Sequence, residues 1–359
     1  MKDEPLRVGM LRLRHRIPEY SEPHFMSYMA KNFNIELYFF TAEDINFDNN
    51  TVEAVFAEGG TQIKCTVPLP KIIYNLPDVI EGRSGIELKE KLQKSGCYLV
   101  RPALRLNKQR IYDGLNKNEH FREYLIETHT VESFDSFLSF LKKYDNDVVL
   151  KPAIGTEGKG VTRITFEATS GGYIASLQGE KLFFKNVNEF KDYYEEQFVR
   201  RLHTVQPYIV SRTKHGNPFD IRILVLLAPE EKFKFIPYPR IGGDTEGFIS
   251  NLGAGGYTKP FDRFLTDEFG DKWRTVKKDI LVLGENLAKY CQTFSNEKPF
   301  AIGIDVAIVR HGADYSFKIF EINLRNPGRV FFKAQVALAT LEYLQYLGKT
   351  IGKSDKAKE

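Results

Sequence analysis

Three groups of residues in this sequence have types and spacings that could do chemistry. The first is Lys151-Pro-Ala-Ile-Gly155-Thr156-Glu157-Gly158-Lys159-Gly160, with glycines at 155, 158 and 160 and lysines at 151 and 159. It follows one strand-like run and leads into another, so it is neither a dinucleotide fingerprint, which must open a helix, nor a GxxxxGK[ST] loop. Closely spaced glycines let a backbone aim several N–H groups at phosphate oxygens, and the lysines would add charge. A plain glycine-rich hairpin turn is the alternative. The second group is Asp305, set in the apolar run Gly303–Ile308, with Glu321 and Asn323 at the end of another apolar run. Side chains alternate along a strand, so Glu321 and Asn323 share a face while Phe320 and Ile322 turn toward packing. If the two runs pair, Asp305 joins them. Two carboxylates and an amide oxygen suit magnesium bridging nucleotide phosphates. Polar alternation on a wet sheet face is the alternative, although Asp and Asn are depleted in strands. The third group is Asp220-Ile-Arg222, Arg240 and the loop Ser250-Asn251-Leu-Gly-Ala-Gly-Gly256. An arginine fork fits phosphate or carboxylate, yet each acid–arginine pair taken alone reads as a surface ion pair.

The elements that must position these groups follow from periodicity. Leu6–Leu11, Ile35–Phe40 and Lys71–Asn75 read as strands, with helices over Glu22–Asn32 and Ile86–Lys94 and a hairpin across Val52–Val67. This β–α alternation predicts an α/β domain over residues 1–105. A second unit, 106–205, opens with a helix at Lys108–Leu115 and an amphipathic one at Ser133–Lys143. Strands at Asp147–Pro152 and Gly160–Phe166, a hairpin at Tyr173–Phe184 and a polar helix at Val187–Arg201 follow. The third unit, 206–347, is announced by Thr204–Ile209. It holds strands at Asp220–Leu227, Phe233–Arg240, Gly303–Val309 and Phe317–Ile322, and helices at Lys277–Phe294 and Val330–Leu347. Residues 348–359 read as a polar tail expected to fray.

Composition narrows the function classes. Apolar residues make up 42% and charged residues 27%, which fits a folded globular chain rather than a disordered or fibrous one. The longest apolar run, Ile223–Ala228, is far short of the ~20 residues of a membrane-spanning helix. The opening MKDEPLRVGM has two acids and no apolar core of a signal peptide. Cys65, Cys97 and Cys291 are scattered without CxxC spacing, so no disulfide framework or closed zinc site is expected and a reducing cytoplasm is the default. A net charge of +4 is too small for a nucleic-acid binder, and the basic clusters Arg12–Arg16 and Arg200-Arg201 are short. Phosphate-bearing small molecules remain attractive partners.

The order of these features carries more than any one of them. Lys108, Lys151 with its glycine loop, Gln206-Pro-Tyr-Ile209, Asp220-Ile-Arg222, Arg240, the Asn251 loop, Asp305 and Glu321-Ile-Asn323 together resemble the ATP-grasp superfamily over essentially the whole chain. The chain is similar to ligases that add glutamate to the C-terminus of a ribosomal protein. Lys151–Gly160, the Glu127-Thr128 pair and Glu321–Arg329 are closer to the spore-coat-associated YheC/YheD-like branch. The resemblance implies an ATP-grasp fold of α+β subdomains behind an N-terminal α/β pre-ATP-grasp domain. It further implies an ATP- and magnesium-dependent carboxylate–amine ligase, working through an acyl phosphate on an amino acid, a peptide or a similar anion. The alternative is a spore-coat-associated nucleotide-binding protein without turnover.

Carried over by position, Lys108 and Lys151 would contact ATP phosphates and the adenine edge, and Gly155, Thr156, Glu157, Gly158, Lys159 and Gly160 would form a mobile loop over the phosphates. Gln206, Pro207, Tyr208 and Ile209 would be the adenine-reading hinge, and Asp220 would take the ribose hydroxyls. Arg222 and Arg240 would hold the γ-phosphate and the acyl phosphate, with Asn251 also catalytic. Asp305, Glu321 and Asn323 would bind two Mg²⁺ ions. Arg325 and Arg329, flanking Pro327-Gly328 just beyond the metal strand, are candidates for the substrate carboxylate.

Overall fold

The hydrophobic alternation resolves into three sheets. The computed structural model describes residues 4–13, 22–58, 61–75, 80, 82–100, 108–152, 160–177, 179–198, 202–250, 252–296, 298–324 and 333–356. In the N-terminal unit, β1 (Leu6–Leu11), α1 (Glu22–Ala30) and β2 (Ile35–Phe40) lead to the short β3 (Ile45–Asn46) and the hairpin β4 (Thr51–Glu58) and β5 (Thr61–Pro68). β6 (Ile72–Asn75), α2 (Gly82–Lys94) and β7 (Tyr98–Val100) complete it. β2, β1, β6 and β7 run parallel in that order, while β4 pairs antiparallel with β2, β3 and β5. β7 was not foreseen; its three residues are too few to show a period.

The second unit contains α3 (Lys108–Lys117), α4 (Glu119–Arg122), β8 (His129–Thr130), α5 (Phe134–Lys143), β9 (Asp147–Pro152), β10 (Thr162–Glu167), β11 (Gly172–Leu177), β12 (Glu180–Phe184), α6 (Val187–Phe198) and β13 (His203–Pro207). Ser133 caps α5 by accepting from the Ser136 N–H at 3.2 Å, which fixes where that helix starts. The sheet order is β12-β11-β10-β9-β13-β8, antiparallel throughout. β13, which the sequence suggests as the opening of the third unit, therefore pairs inside the second sheet. Val148, Leu150 and Val205 turn onto a core with Phe137, Leu141, Phe190 and Tyr194 of α5 and α6. Lys151 and Gln206, at alternate positions, lie on the opposite face.

The third unit is β14 (Phe219–Leu227), β15 (Phe233–Ile241), α7 (Phe261–Phe269), α8 (Trp273–Cys291), β16 (Ala301–His311), β17 (Asp314–Asn323) and α9 (Lys333–Lys356). Its sheet, β15-β14-β16-β17, is antiparallel. One face, with Ile221, Ile223, Val225, Ile302, Ile304 and Val306, packs on α7 and α8. On the other face Leu224 and Leu226 join α9 and the N-terminal strands, where Val8, Met10, Ala337 and Leu344 meet. α9 runs well past the expected end at Leu347, because Ile351 still packs against that core. Among the described residues no helix is long and apolar enough to cross a membrane.

Candidate functional site

The α9-facing side of the third sheet collects charge at one end, beyond Leu224 and Leu226. Register places Asp220 opposite Arg240, Arg222 opposite Asp305, and Asp305 opposite Glu321, so all five share a face. The Asp305 carboxylate accepts from Arg222 Nε and, at 2.9 Å each, from Arg222 Nη2 and Arg240 Nη2. Arg240 also donates to Asp220, through Nε at 2.7 Å and through Nη2. Asp220, Asp305 and Arg222 are only 2%, 3% and 7% exposed, so these are buried, mutually neutralising charges and not surface pairs. Burial opposes ionisation of Asp305, but the Arg240 and Arg222 guanidinium groups outweigh it and hold the carboxyl below the usual range.

The expected orientation of Phe320 needs correction. A β-bulge interrupts the β16–β17 ladder between Asp305 and Val306, so Asp305 faces Glu321 while Val306 faces Ile319, and Phe320 has no partner. Ile319 and Ile322 enter the core, and the half-buried Phe320 does not; its ring lies 5.9 Å from Lys151 Nζ. Nothing in the apolar run of the sequence signals this extra residue.

Elements of the second unit close over the same end. α3 packs Ile111 and Leu115 into the third unit's core. Gly114 allows this, since a Cβ there would come within 2.4 Å of Phe294 Cε1. The chain after α4 is stitched to β17 by Ile319 N–H to Tyr124 O at 2.8 Å and Lys318 Nζ to Glu123 O at 2.6 Å. Lys108, at the start of α3, thereby reaches Glu321 Oε1 at 2.5 Å. From β9, Lys151 Nζ donates to Gln206 Oε1 at 2.5 Å, and Gln206 Nε2 donates to Thr128 Oγ1 at 2.6 Å. Burial lowers the Lys151 ammonium pKa to about 8, with Glu321 pulling it up and Lys108 pushing it down. Lys108, Lys151, Arg222 and Arg240 thus converge with Asp220, Asp305 and Glu321, leaving one positive charge in excess for an anion.

Beyond β13 the chain continues through Tyr208, whose ring carries the Arg163 guanidinium 3.8 Å from its centroid. Asp147 grips Arg163 from below at 2.8 and 2.6 Å. Arg212 then donates to the carbonyls of Gly216, Thr245 and Gly247 at 2.5, 2.6 and 2.8 Å, and to the Tyr208 hydroxyl at 3.3 Å. It fastens the loop leaving β15 to the segment that follows β13. Sequence reasoning missed this arginine, since its acceptors are backbone carbonyls of distant residues.

Of the expected site residues, Gly155–Lys159, Asn251, Arg325 and Arg329 lie outside the described residues. Lys108, Lys151, Gln206, Asp220, Arg222, Arg240, Asp305 and Glu321 are brought together as above, and Asn323 follows Glu321 on the same face, opposite Gly303. Pro207 ends β13, Tyr208 and Ile209 lead on from it, and Gly160 stands before β10 at a φ of 74°. Among the described residues no three or more His, Cys, Asp and Glu side chains are grouped to hold a metal ion. The magnesium set expected here differs in kind: two carboxylates and an amide, all hard oxygen donors on adjacent strands. Asn323 would offer its amide oxygen, while Glu321 would share Oε1 with Lys108 and Asp305 would share its oxygens with two guanidinium groups.

The family model for YheC/D-like ATP-grasp proteins matches residues 98–347, which span the second and third sheets and most of α9. The chain belongs to the YheC/D-like ATP-grasp family. The second and third units, which meet at Lys108–Glu321 and Lys151–Phe320, are its ATP-grasp fold, a mixed architecture of helices and sheets that follows the N-terminal mixed sheet. The D-cycloserine synthetase DcsG is similar in outline, with a TM-score of 0.49 and 13% identity over 96% of this chain and 99% of its own. The C-terminal domain of K. lactis Pby1, an ATP-grasp enzyme interacting with the mRNA decapping enzyme Dcp2, gives a TM-score of 0.48 and 13% identity over 95% of this chain and 90% of its own. No curated protein matches the chain.

Proposed function

We propose that the protein is an ATP-dependent carboxylate–amine ligase acting on an amino acid, a peptide or a similar anion. The observation that carries this reading is the meeting of two lysines from the second unit with the acid–arginine lattice of the third sheet. Family membership supports nucleotide binding and ligase chemistry in general. In this reading Lys151 and Lys108 bind ATP phosphates, residues 206–209 read the adenine edge, and the Phe320 ring offers the base a flat apolar face. Asp220 orients Arg240 and is the candidate for the ribose hydroxyls, while Arg222 and Arg240, held in place by their carboxylates, face the γ-phosphate. Glu321, Asn323 and Asp305 would hold Mg²⁺, which supplies charge neutralisation at the phosphates when bound.

The substrate carboxylate takes the γ-phosphoryl group, forming an acyl phosphate and releasing ADP. The amine nitrogen then attacks the acyl carbon, the C–O bond to phosphate breaks, and the amine gives up a proton as inorganic phosphate leaves. Catalysis rests on positioning and charge, with no protein nucleophile. ADP release in the presence of amino-acid and short-peptide pools tests this, with hydroxylamine present to trap the acyl phosphate as a hydroxamate. Pool-dependent ADP and hydroxamate, both lost in Glu321→Ala, are expected. Nucleotide binding without pool-dependent turnover would replace the ligase with a nucleotide-binding protein.

A further inference from the structure

Arg12, the first residue beyond β1, takes no part in the site above. Alternation sends Val8, Met10 and Arg12 to one face of the N-terminal sheet, the face whose core includes α9, Leu224 and Leu226. The Arg12 backbone N–H donates to Phe40 O at 2.9 Å and its guanidinium lies 5.8 Å from the Phe39 ring, so the residue is fixed in place. The chain leaves β1 to one side for β2 and returns on the other side as β6. Arg12 therefore stands at the topological switch point, beyond the carboxyl ends of parallel strands, where open α/β sheets take their ligands. Asn75, paired with Leu11 at the matching end of β6, is a second buried polar side chain there.

Arg12 is half-buried, and its enclosed Nη1 meets no acceptor among the described residues. Burial lowers the guanidinium pKa. An enclosed guanidinium donor without an acceptor is costly, which is why such groups are normally paired.

The direction of α9 shows which end of the third unit lies nearest the carboxyl end of β1. Gly348 of α9 packs on Leu6, the first residue of β1. Earlier in the helix, Tyr343 stacks 5.3 Å from Phe300, which meets Tyr74 at 5.8 Å, and Tyr74 is level with Met10. α9 thus runs antiparallel to β1, and its amino end, which follows β17 and Glu321, lies at the end of the sheet where Arg12 emerges.

We propose that Arg12 binds the carboxylate of a substrate at the carboxyl end of β1, in a subsite of the N-terminal domain open toward the ATP-grasp site. That the carboxylate belongs to a substrate rests on the ligase reading; the anion site itself rests on Arg12. A planar guanidinium gives a carboxylate two parallel charge-assisted hydrogen bonds.

The test is binding of N-acetylalanine, its neutral N-methylamide and inorganic phosphate, followed by NMR with Mg·ADP saturating. Wild type, Arg12→Met and Arg12→Lys are compared, and Mg·ADP affinity is measured separately in each. Saturable binding of N-acetylalanine but not of the amide is expected, weakened at least tenfold in Arg12→Met and less in Arg12→Lys. Mg·ADP affinity should be unchanged. Equal binding by wild type and Arg12→Met, no saturable binding to wild type, or tighter binding of phosphate than of N-acetylalanine would overturn the proposal. Absence of Mg·ADP binding with the Arg12 effect intact would instead remove the nucleotide reading and leave the anion site standing.

Discussion

Replacing Asp305 by Asn removes one charge from a lattice of two buried carboxylates and two guanidinium groups. The side chain keeps its shape, but Arg222 loses its charged partner at a position where it is 7% exposed. Arg240 retains Asp220, so the net result is one uncompensated buried positive charge. Breaking a buried ion pair from one side costs about 3–5 kcal/mol, much of it the penalty of the orphaned charge. Removing that charge as well, in Asp305→Asn with Arg222→Met, should recover more than half of the loss. Urea unfolding followed by tryptophan fluorescence is the assay. Trp273 is the sole tryptophan and packs on the third unit's core, so the signal reports on the unit that holds the lattice. An Asp305→Asn protein within about 1 kcal/mol of wild type, or a double variant no more stable than the single one, would refute the reasoning.

Two further outcomes follow from the site geometry. Lys151, with a pKa of about 8 in the free protein, is half neutral at pH 8, and phosphate binding favours its charged form. Mg·ATP binding at pH 8 should therefore take up about half a proton, seen by calorimetry in buffers of different ionisation heat, and affinity should fall as pH rises through 8. No proton uptake in wild type, or uptake that persists in Lys151→Met, would remove Lys151 from the phosphates. Arg212→Gln should release the carbonyls of Thr245 and Gly247 and speed amide exchange across residues 243–249 at least tenfold, on the order expected for losing charged hydrogen bonds, whereas Tyr208→Phe should change it little. Unchanged exchange in Arg212→Gln would leave the loop held by something else.

Much of this site is legible in the sequence because strand alternation is local. Asp220 and Arg222 two residues apart, and Glu321 and Asn323 two residues apart, must share a face once the runs are strands. Pairing is not local: Arg222 meets Asp305 eighty-three positions away, and only the strand order β15-β14-β16-β17 brings them opposite. The bulge at Phe320 adds a residue without altering the apolar pattern, so alternation carried past it gives Phe320 the wrong face. β13 illustrates the same limit, since its residues look like a beginning yet pair with β9, fifty-odd residues earlier. α7 was missed although Phe261, Phe264 and Leu265 have helical spacing, because its nine residues lie between a proline and a glycine that read as loop.

The claim that ATP activates a carboxylate here is tested most directly by oxygen-18 transfer. Amino-acid and peptide pools labelled in the carboxylate are incubated with the protein, Mg²⁺ and ATP, and the released phosphate is analysed by mass. An acyl phosphate requires a carboxylate oxygen to leave with the phosphate, so each phosphate from ligation should carry a single heavy oxygen, and Glu321→Ala should release none. Phosphate released without label, at the same rate with or without the pools, would contradict the account.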